Sequence, residues 1–582
     1  MLLEKITSPQ DIKSFSIDQL KALAEEIRNG VLNRNSNVGG HVGPNLGIVE
    51  ATIALHYVFN SPVDKFVFDV SHQSYPHKML TGRAFGYIDD ARLDEVSGYS
   101  SPTESPVYDE FEVGHTSTSI SLATGLQKAR DIRGTKENIV AVIGDGSLSG
   151  GEAMEGLDEA AELGTGIIIL VNDNEMSIAE NHGGLYKNLQ LLRETNGKAE
   201  CNLFKAFGLD YEYVADGNDI EALINIYNKV KDTTRPTVVH IHTLKGKGYR
   251  LAEENKEEWH WSVPFDIATG KPKMESAAED WGDLTGRFLL DEMKRDAKLV
   301  CVTSGTPTVA GFTRERRLEA GKQFVDVGIA EEQAVAMISG MAKGGLHPVY
   351  NVYATFIQRT YDQLAQDLCI NGNPALINVY WGSLYGMNDI THIGFYEIPM
   401  LSNIPGLIYL APTCWEEYLA MMKWGIKQEQ YPVAIRVPSG PVTHRDETFD
   451  EDYTVLNRFA TTRQGKGVAI IGVGAFHGLA LQTADLLKKQ KDIDATVINP
   501  RYLSGLDEAL LESLKEKHHT VITLEDGAKD GGFGEKIARY YGNSNVRVFV
   551  HGVQKGLYDR YDYAEMAKAN RLTPELIVED VE

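Results

Sequence analysis

Apolar residues near the start of the chain recur with the spacing of a helix. Four side chains of the stretch SIDQLKALAEEIRNGVLN fall on one helical face: Leu20, Leu23, Ile27 and Val31. This period is typical of a helix that buries one stripe against a core. Ser16 and Gln19 form the capping-box pattern that marks a helix start. The pattern therefore predicts an N-terminal helix that begins after Ser16.

Short apolar runs that end at a glycine or a turn predict the strands of a first α/β region. These runs are KFVFDV (65–70), NIVAVIGD (138–145), GIIILVND (166–173) and the start of PTVVHIHTLKGKGY. The segments between them, such as GGEAMEGLDEAAELG, have helical composition, and this alternation is typical of a parallel sheet. The polar stretch EENKEEWHWSVPFDIATGKPKMESAAED carries no periodic signal. We therefore place a domain boundary after residue 275.

The same pattern repeats twice in the remainder of the chain. A second region runs from KLVCVTSG to PVAIRVPSG and ends near residue 448, at the acidic stretch RDETFDEDY. A third begins with GVAIIGVGAFHGLALQTADLL and continues through DATVINPRYL and HTVITLED. The predicted fold class is α/β, with three domains in series, each a largely parallel sheet flanked by helices. The predicted domains are residues 1–275, 276–448 and 449–582.

Composition and charge limit the classes of partner. The chain has 582 residues, 42% hydrophobic and 24% charged, with a formal net charge of -25. We expect no nucleic acid or anionic membrane as a partner, because binding to phosphates needs clustered Lys and Arg. No apolar run approaches the roughly 20 residues that span a bilayer. The start, MLLEKITSPQ, does not have the pattern of a signal peptide.

The cysteines argue for a reducing compartment. There are four, at Cys201, Cys301, Cys369 and Cys414. They are far apart and form no CxxC pair, so neither a zinc site nor a disulfide framework is predicted. We expect a cytoplasmic enzyme.

Candidate chemistry begins where the strand NIVAVIGD ends, in the stretch VAVIGDGSLSGGE. Asp145 stands between Gly144 and Gly146, and a bare carboxylate at the end of an apolar strand costs stability unless a positive group lies against it. Glycines let a phosphate or a metal approach the backbone, and the next helix offers unpaired N–H groups. Taken alone, GDG is more often a plain turn.

A second polar strand end changes that interpretation. Asn174, in LVNDNEMSI, follows Asp145 at a distance that accommodates one helix and one return strand. Both side chains then emerge at the same edge of a parallel sheet. The Asp145 carboxylate, the Asn174 amide oxygen and a backbone carbonyl near Met176 are the oxygen ligands that Mg²⁺ takes, with diphosphate oxygens completing the shell. GDG followed by NDN is the diphosphate-binding motif of thiamine diphosphate enzymes.

With this motif, the chain resembles the transketolase superfamily and most specifically its 1-deoxy-D-xylulose-5-phosphate synthase family. The matching stretches are GGHVGPNLGIVEATIALHYVFNSP (39–62), FDVSHQSYPHKMLTGR (68–83), VGHTSTSIS (113–121), VIGDGSLSGGEAMEG, NDNEMSIAENHG (172–183), DVGIAEEQAV (326–335) and YATFIQRTYDQ (353–363). The resemblance implies a homodimeric transferase with thiamine diphosphate and Mg²⁺. It implies decarboxylation of pyruvate and transfer of the two-carbon unit to glyceraldehyde 3-phosphate.

The resemblance also implies which residues bind the cofactor. Glu331, in GIAEEQ, matches the acid that hydrogen-bonds the pyrimidine ring, which then removes the proton from the thiazolium carbon. Glu332 is the second choice, and a Glu favoured by the helix dipole is the alternative reading. Phe356 matches the residue that stacks on the pyrimidine. The other implied cofactor-binding residues are His72, His115, Gly144, Asp145, Gly146, Ser147, Asn174, Met176 and Lys245, with an exposed lysine as the alternative for Lys245.

A further set of matches faces the substrates. His41 and His260, in EWHWSVP, match the pair beside the reacting carbon, where protons are moved and a carboxylate is bound. Arg359 and Tyr353 match substrate-facing residues, and Arg suits a carboxylate or a phosphate through its bidentate fork. His392, in GMNDITHIG, matches a histidine of the family pattern. The implied catalytic set is Glu331, His41, His260, Arg359, His392 and Tyr353.

The chain departs from the family pattern where the acceptor phosphate is expected to bind. Trp381, in YWGSLYGMND, stands at one arginine position, and Ser439, in RVPSG, stands at another. Replacing two cations in this way removes most of the attraction for a phosphate dianion. The resemblance therefore leaves two acceptors open: glyceraldehyde 3-phosphate, or a different aldehyde without a phosphate.

Other cations of the chain are alternatives for that phosphate site. Arg436 remains in RVPSG, and Arg445 or lysines of another loop could also serve. The acid of the Trp381 loop is either replaced by Asn388 or, with a shift of one residue, retained as Asp389.

Four alternative functions remain to be weighed. A transketolase-like enzyme would use the same cofactor with another donor or acceptor, and a lipoyl-dependent dehydrogenase component fits the motifs less well. A non-catalytic paralogue is expected to have lost Asp145, Asn174 or Glu331, and all three are present. Dinucleotide binding by GVGAFHG (472–478) lacks the glycine spacing and the following acid, so that stretch is predicted to be a tight strand–helix turn.

Overall fold

A computed structural model describes residues 1–274 and 278–581, which form two compact units. Unit one comprises Met1–Ser276 with Gly328–Ala330, and unit two comprises Ala277–Val327 with Glu331–Glu582. The predicted boundary between residues 275 and 276 lies outside the described residues. The division into three domains stays a prediction.

The strands of unit one form a central parallel sheet and a small antiparallel ribbon. Their bounds are β1 (Gly40–His41), β2 (Lys65–Phe68), β3 (Ile139–Gly144), β4 (Ile168–Asp173), β5 (Asp210–Val214), β6 (Thr237–His242) and β7 (Trp261–Ser262). The sheet has the order β2-β3-β4-β6-β5 and is parallel throughout, and β1 pairs with β7. Strands β3 and β4 are continuous apolar runs, as expected of strands buried on both faces.

The register of the central sheet aligns two strand ends. Gly144 of β3 lies opposite Asn172 of β4. Because the two strands are parallel, the residues that follow them emerge at the same edge, as predicted. Strand β5 was not predicted, because its sequence DYEYV is polar and alternating, which is typical of an edge strand.

The helices of unit one begin with the predicted N-terminal helix. Ser16 and Gln19 form a capping box at its start, and its four predicted core side chains are buried. The α-helices have the bounds Ile17–Val38, Gly43–Gly47, Val49–Val58, Tyr75–Lys78, Phe85–Ile88, Ser119–Arg133, Gly151–Leu163, Gly184–Glu194, Leu203–Ala206, Ile220–Val230 and Arg250–Glu254.

Unit two contains two sheets. Their strands are β8 (Leu299–Thr303), β9 (Phe324–Asp326), β10 (His347–Tyr353), β11 (Leu376–Tyr380), β12 (Ile408–Leu410), β13 (Val433–Arg436), β14 (Ala460–Arg463), β15 (Gly467–Gly472), β16 (Thr496–Asn499), β17 (His518–Ala528) and β18 (Arg547–Val553). The first sheet, β12-β13-β11-β10-β8-β9, is parallel. The second, β14-β16-β15-β17-β18, is parallel except at β14.

Helices flank both sheets of unit two. The α-helices are Trp281–Met293, Arg314–Ala320, Glu331–Lys343, Ala354–Ile357, Tyr361–Gln363, Glu397–Leu401, Trp415–Lys427, His477–Lys491, Glu508–Leu514, Phe533–Tyr541, Tyr563–Ala569 and Pro574–Glu579. The stretch GVGAFHG is a tight turn from β15 into His477–Lys491, as predicted.

The predicted fold class is confirmed, because three largely parallel sheets flanked by helices follow one another along the chain. Within residues 1–274 and 278–581, none of the helices combines the length and the apolar character that crossing a membrane requires.

Candidate active site

Two buried oxygen ligands lie side by side at the carboxyl edge of the central sheet of unit one. Asp145 follows β3 directly and Asn174 follows β4 directly, and both are buried. Asn181 Nδ2 donates a hydrogen bond to Asp145 Oδ2 at 2.6 Å. The Asn174 Oδ1 atom is enclosed and has no hydrogen-bond partner within the described chain. An enclosed amide oxygen without a donor is expected to bind a ligand.

The charge of Asp145 is poorly compensated. Burial, reinforced by the neighbouring Asp173 carboxylate, raises the pKa of Asp145 to about 8. Asp173 is as deeply buried, but Arg193 Nη1 lies 2.5 Å from its carboxylate and His240 Nε2 lies 2.9 Å from it. The pKa of Asp173 is therefore lowered, although burial alone would raise it. Among the described residues, no cation is bonded to the Asp145 carboxylate as Arg193 is to that of Asp173, although Lys245 partly opposes the rise in the pKa of Asp145.

The residues present at this edge fit a magnesium ion. Asp145 and Asn174 supply a carboxylate and an amide oxygen, which are ligands that Mg²⁺ prefers. Glu175 has a positive φ of 67°, so the backbone turns sharply just before Met176, whose carbonyl is the third predicted ligand. Within the described ranges no cluster of three or more His, Cys, Asp or Glu could hold a metal. A metal here would therefore depend on amide and carbonyl oxygens as well as the carboxylate.

The glycines beside Asp145 have different roles. A Cβ atom at Gly144 would meet nothing within 4 Å, so the space in front of it is open. A Cβ atom at Gly146 would lie 2.6 Å from Ser177 Cβ, so no side chain fits there. The carbonyl of Ser147 accepts a hydrogen bond from Ser117 Oγ at 2.8 Å. Open space at a bare strand end fits a diphosphate group.

Three histidines predicted from distant stretches form one cluster in unit one. The ring centroids of His41 and His72 are 5.0 Å apart, and His260 lies 5.4 Å from each of them. Pairing of β1 with β7 sets His41 opposite Trp261, which brings His260 beside it. Asn45 Nδ2 donates to the carbonyls of both His41 and His72, at 2.9 and 2.7 Å. We name His41, His72 and His260 the imidazole cluster.

Lys245 links the imidazole cluster to the loop after β4. Its Nζ lies 3.1 Å from His260 Nδ1 and 2.5 Å from the Ser177 carbonyl. The side chain is buried, so the alternative of an exposed lysine is wrong. Burial lowers the pKa of Lys245 to about 7, and Asp145 opposes that shift. His115 is half-buried in the loop before helix Ser119–Arg133.

In unit two, Glu331 is a buried acid at the start of a helix. It is the first residue of Glu331–Lys343 and is 2% exposed. Burial raises the pKa of Glu331 to about 7, and Arg359, with Nη1 at 3.6 Å from Glu331 Oε2, opposes the shift. Glu332 is half-buried. Glu331 is therefore the acid of the pair that can carry a proton near neutral pH and share it with a ring nitrogen.

Four predicted substrate- or cofactor-facing residues form an aromatic chain in unit two. The ring of Tyr353 is edge-on to Phe356 at 5.6 Å and to Trp381 at 5.9 Å. Phe356 is edge-on to His392 at 5.7 Å. Trp381 remains 46% exposed and has a positive φ of 64°. We name residues 381–392 the rim loop; it contains Trp381 and His392, the two ends of this series of aromatic contacts.

The rim loop retains an acid beside its histidine. Asp389 Oδ1 lies 3.0 Å from His392 Nδ1, whereas Asn388 Nδ2 donates to the Tyr561 carbonyl at 2.9 Å. Of the two alternatives for the acid of this loop, the geometry favours Asp389.

Arg436 is not a free cation. It is buried, and its Nε and Nη1 atoms bond to Glu397 and Asp526. The remaining Nη2 is buried without a hydrogen bond among the described residues. A guanidinium that is already bonded to two acids offers a phosphate much less attraction than a free one does. Arg445, another alternative for the phosphate site, is also paired with an acid: its Nη1 atom lies 3.5 Å from Glu447 Oε1.

Sequence reasoning missed two asparagines that position the site. Asn181 and Asn45 both lie inside the matching stretches, NDNEMSIAENHG and GGHVGPNLG. Their residue type was the available signal, because a side-chain amide can donate to a carboxylate or to backbone carbonyls.

Comparison with known proteins places these features in a family. A family model described as 1-deoxy-D-xylulose-5-phosphate synthase matches residues 3–202 and 195–243. Models of the transketolase pyrimidine binding domain and C-terminal domain match residues 277–443 and 458–577.

Individual relatives extend over the full chain. A protein named 1-deoxy-D-xylulose-5-phosphate synthase from Pelotomaculum thermopropionicum is 35% identical over 620 residues, covering 100% of this chain and 96% of the relative. One of the same name from Natranaerobius thermophilus is 36% identical, covering 96% and 93%. A solved transketolase from Pichia stipitis is 16% identical, with 97% of each chain covered and a TM-score of 0.45.

Proposed function

This chain belongs to the 1-deoxy-D-xylulose-5-phosphate synthase family and is a thiamine diphosphate-dependent transferase that acts on small molecules. We propose the following roles for its residues. The proposed reaction decarboxylates pyruvate and joins the remaining two-carbon unit to an aldehyde. When bound, the cofactor supplies a nucleophilic carbon and an electron sink. The observation that carries the proposal is a pair of buried oxygen groups at one sheet edge: the Asp145 carboxylate, whose pKa is raised by burial, and the Asn174 amide oxygen, which has no hydrogen-bond partner among the described residues.

The residues of unit one bind and orient. Asp145, Asn174 and the Met176 carbonyl would hold Mg²⁺, and the open space at Gly144 would admit the diphosphate. Lys245, buried and within range of the Asp145 charge, would offer a positive group to that anion. His41 and His260 would bind the pyruvate carboxylate and move protons at the reacting carbon. His72, the third member of the imidazole cluster, would bind the cofactor.

The residues of unit two activate and align. Glu331 would share its proton with the pyrimidine ring, because its raised pKa keeps the carboxyl protonated near neutrality. Phe356 would stack on that ring. Tyr353, Arg359 and His392 would face the substrates, and they lie along the aromatic chain and beside Glu331.

A comparison of neighbouring acids tests the proposal. Carbon dioxide release from pyruvate would be measured with thiamine diphosphate, Mg²⁺ and an aldehyde acceptor for Glu331→Gln and for Glu332→Gln, its matched control. We expect Glu331→Gln to lower the rate roughly 100-fold or more, as for loss of a general acid–base group. Glu332→Gln is expected to stay near the wild-type rate. Equal rates for the two variants would overturn the role of Glu331, and no release by the wild type would overturn the reaction.

A second candidate acceptor is an aldehyde without phosphate. The pairing of Arg436 and the exposed ring of Trp381 favour it. Arg436 is held between two carboxylates, and Trp381 presents an exposed indole in the rim loop. An exposed aromatic favours an uncharged chain over a dianion. This candidate keeps the same donor chemistry and changes only the acceptor.

Restoring a cation separates the two acceptors. Glyceraldehyde and glyceraldehyde 3-phosphate would be compared as acceptors for the wild type, Trp381→Arg and the control Trp381→Phe. If the natural acceptor lacks phosphate, Trp381→Arg should shift the ratio of kcat/KM toward the phosphorylated aldehyde by roughly 10-fold or more. A wild type that already prefers the phosphorylated aldehyde, with no shift in Trp381→Arg, would reject this candidate.

Four finer properties complete the proposal. Mg²⁺ as the metal is supported by the all-oxygen ligand set. The homodimer, the cytoplasmic location and the absence of nucleic acid or membrane partners stay predictions from the sequence. Sedimentation of the purified chain at several concentrations tests the first of these, and a concentration-independent monomer would reject the homodimer.

A further inference from the structure

We propose that Tyr561 and Tyr563 are positioning residues for the acceptor, acting through the rim loop. They lie far from Trp381 and His392 in sequence, and the family resemblance gives them no role. The inference rests on the proposed function, because it assumes that the rim loop faces the acceptor. The inference is argued from the hydrogen bonds of the two tyrosine hydroxyl groups.

Hydrogen bonds join residues 559–563 to the rim loop along its length. The Tyr561 hydroxyl donates to the Leu384 carbonyl at 2.9 Å, and the Tyr563 hydroxyl donates to the Gly386 carbonyl at 2.7 Å. In the reverse direction, Asn388 Nδ2 donates to the Tyr561 carbonyl at 2.9 Å. The Ile390 amide donates to Asp559 Oδ1 at 3.2 Å.

The apolar side chains of this region are packed into the same part of unit two. Leu384, in the loop, and Ile393 and Phe395, just after it, are buried in one cluster with residues of β15–β18. The Leu384 amide also donates to the Asp526 carbonyl, at the end of β17, at 2.8 Å. The rim loop follows β11 of the first sheet, and Trp381 and His392 at its ends contact Tyr353 and Phe356. Its middle, at Leu384, packs on the second sheet. The C-terminal part of unit two therefore helps to set its position.

A short chain of contacts connects Tyr563 to Trp381. A Cβ atom at Gly386 would lie 2.5 Å from the Trp381 carbonyl, and so would one at Gly394. The Trp381 carbonyl is thus enclosed between two glycines. Trp381 itself has positive φ, a conformation that a bulky residue keeps only when its surroundings impose it. Because the Tyr563 hydroxyl bonds to the Gly386 carbonyl, loss of that bond would let Gly386 move away from the Trp381 carbonyl.

The proposed positioning depends on hydroxyl groups and not on ring packing. The rings have their own contacts: Tyr563 lies 6.0 Å from Tyr385, and Tyr561 lies 6.5 Å from Phe395. A Phe at either position keeps these contacts and removes only the bond to the loop. Tyr558 provides a matched control, because its hydroxyl bonds to the Gln554 carbonyl of its own segment at 2.7 Å.

The experiment compares the double variant Tyr561→Phe/Tyr563→Phe with Tyr558→Phe and the wild type. Two quantities would be measured with thiamine diphosphate and Mg²⁺ present: the rate of carbon dioxide release from pyruvate at saturating aldehyde, and the KM for each aldehyde. Exchange of amide hydrogens in residues 381–392 would be followed by mass spectrometry. We expect unchanged carbon dioxide release, a roughly 10-fold higher KM for the preferred aldehyde and faster exchange in the double variant. Tyr558→Phe should match the wild type in all three.

Each other result has a defined meaning. Faster exchange with an unchanged acceptor KM would overturn the positioning role, since the loop would then be loosened without effect on the acceptor. Exchange that stays at the wild-type rate would overturn the hydrogen-bonded tie itself. A wild type that releases no carbon dioxide from pyruvate with either aldehyde present would instead reject the proposed function, and the exchange comparison would still report on the hydrogen-bonded tie.

Discussion

Asp145 in unit one and Arg436 in unit two are both buried charges, but their surroundings differ. Asp145 has an amide from Asn181 and no cation bonded to its carboxylate among the described residues. Arg436 has carboxylates at both Nε and Nη1. Burial raises the pKa of Asp145, whereas the two acids hold the pKa of Arg436 above its ordinary value. Among the described residues, no counterion is bonded to Asp145, whereas two are bonded to Arg436.

The difference indicates which region is built for a ligand. A buried charge without a counterion costs free energy that a bound ion can recover, so the edge at Asp145 is expected to be completed by a cation. A buried charge that is already paired with opposite charges attracts a charged ligand much less. The motif at Asp145 therefore predicts binding, whereas the arginine retained in RVPSG does not by itself predict a phosphate site.

Removal of Arg436 is expected to have the largest effect on stability. Arg436→Met would leave the Glu397 and Asp526 carboxylates buried without their cation, a change that costs about 3–5 kcal/mol. The control Arg295→Met breaks the exposed pair of Arg295 with Glu292, and exposed pairs contribute about 1 kcal/mol or less. Thermal unfolding of the two variants would measure the difference. Arg436→Met with wild-type stability and a selective loss of phosphorylated acceptors would make Arg436 a ligand-binding residue.

Removal of the Asp145 charge should change binding and stability in opposite directions. Asp145→Asn is expected to weaken Mg²⁺-dependent binding of thiamine diphosphate by roughly 100-fold or more, beyond what loss of an outer-shell partner costs. The raised pKa means that the ionised carboxylate destabilises the cofactor-free fold increasingly as pH rises from about 4 through about 8. The variant should therefore have the higher melting temperature above neutral pH.

The matched control for Asp145 is the exposed Asp158 of helix Gly151–Leu163. Asp158→Asn should leave both cofactor affinity and melting temperature near the wild-type values. Titration calorimetry with and without Mg²⁺ would measure the affinity. If Asp145→Asn binds the cofactor as tightly as Asp158→Asn does, the cation site is elsewhere.

Glu331 provides a test of buried charge in unit two that depends on pH. Burial raises its pKa to about 7 against the opposing effect of Arg359. Stability from its protonated form is complete below the unfolded pKa, near 4.5, and is lost as pH rises through about 7. Between about pH 5.5 and about pH 8 the wild type should lose about 2 kcal/mol relative to Glu331→Gln. Parallel melting curves across this range would mean that Glu331 keeps an ordinary pKa.

The fold and the cofactor edge could be predicted because their signals are local and periodic. Apolar runs bounded by glycine define β3 and β4, and parallel pairing then fixes Asp145 and Asn174 at one edge. The strand β5 was missed because its polar alternation resembles a surface segment. The pairing of β1 with β7 was missed because each strand has two residues, which is too short for any periodic pattern.

The state of the charged groups could not be predicted from the sequence. Whether Arg436 is free depends on Glu397 and Asp526, which are distant in the chain and meet it only in the folded protein. The tie between Tyr563 and Gly386 has the same origin, because it joins a loop after β11 to a segment after β18. Contacts of this kind follow from tertiary packing and leave no mark on local composition.

The smallest effect is expected at Asn181, which the sequence did not single out. Its Nδ2 atom is the side-chain donor that orients the Asp145 carboxylate, and its own Oδ1 is buried without a partner among the described residues. Asn181→Ala should weaken cation-dependent cofactor binding roughly 10-fold, the cost of losing an outer-shell partner. Asn188→Ala is the control, because it removes comparable hydrogen bonds to Cys201 and Leu203 away from Asp145. Equal cofactor affinities in the two variants would mean that Asp145 is oriented without Asn181.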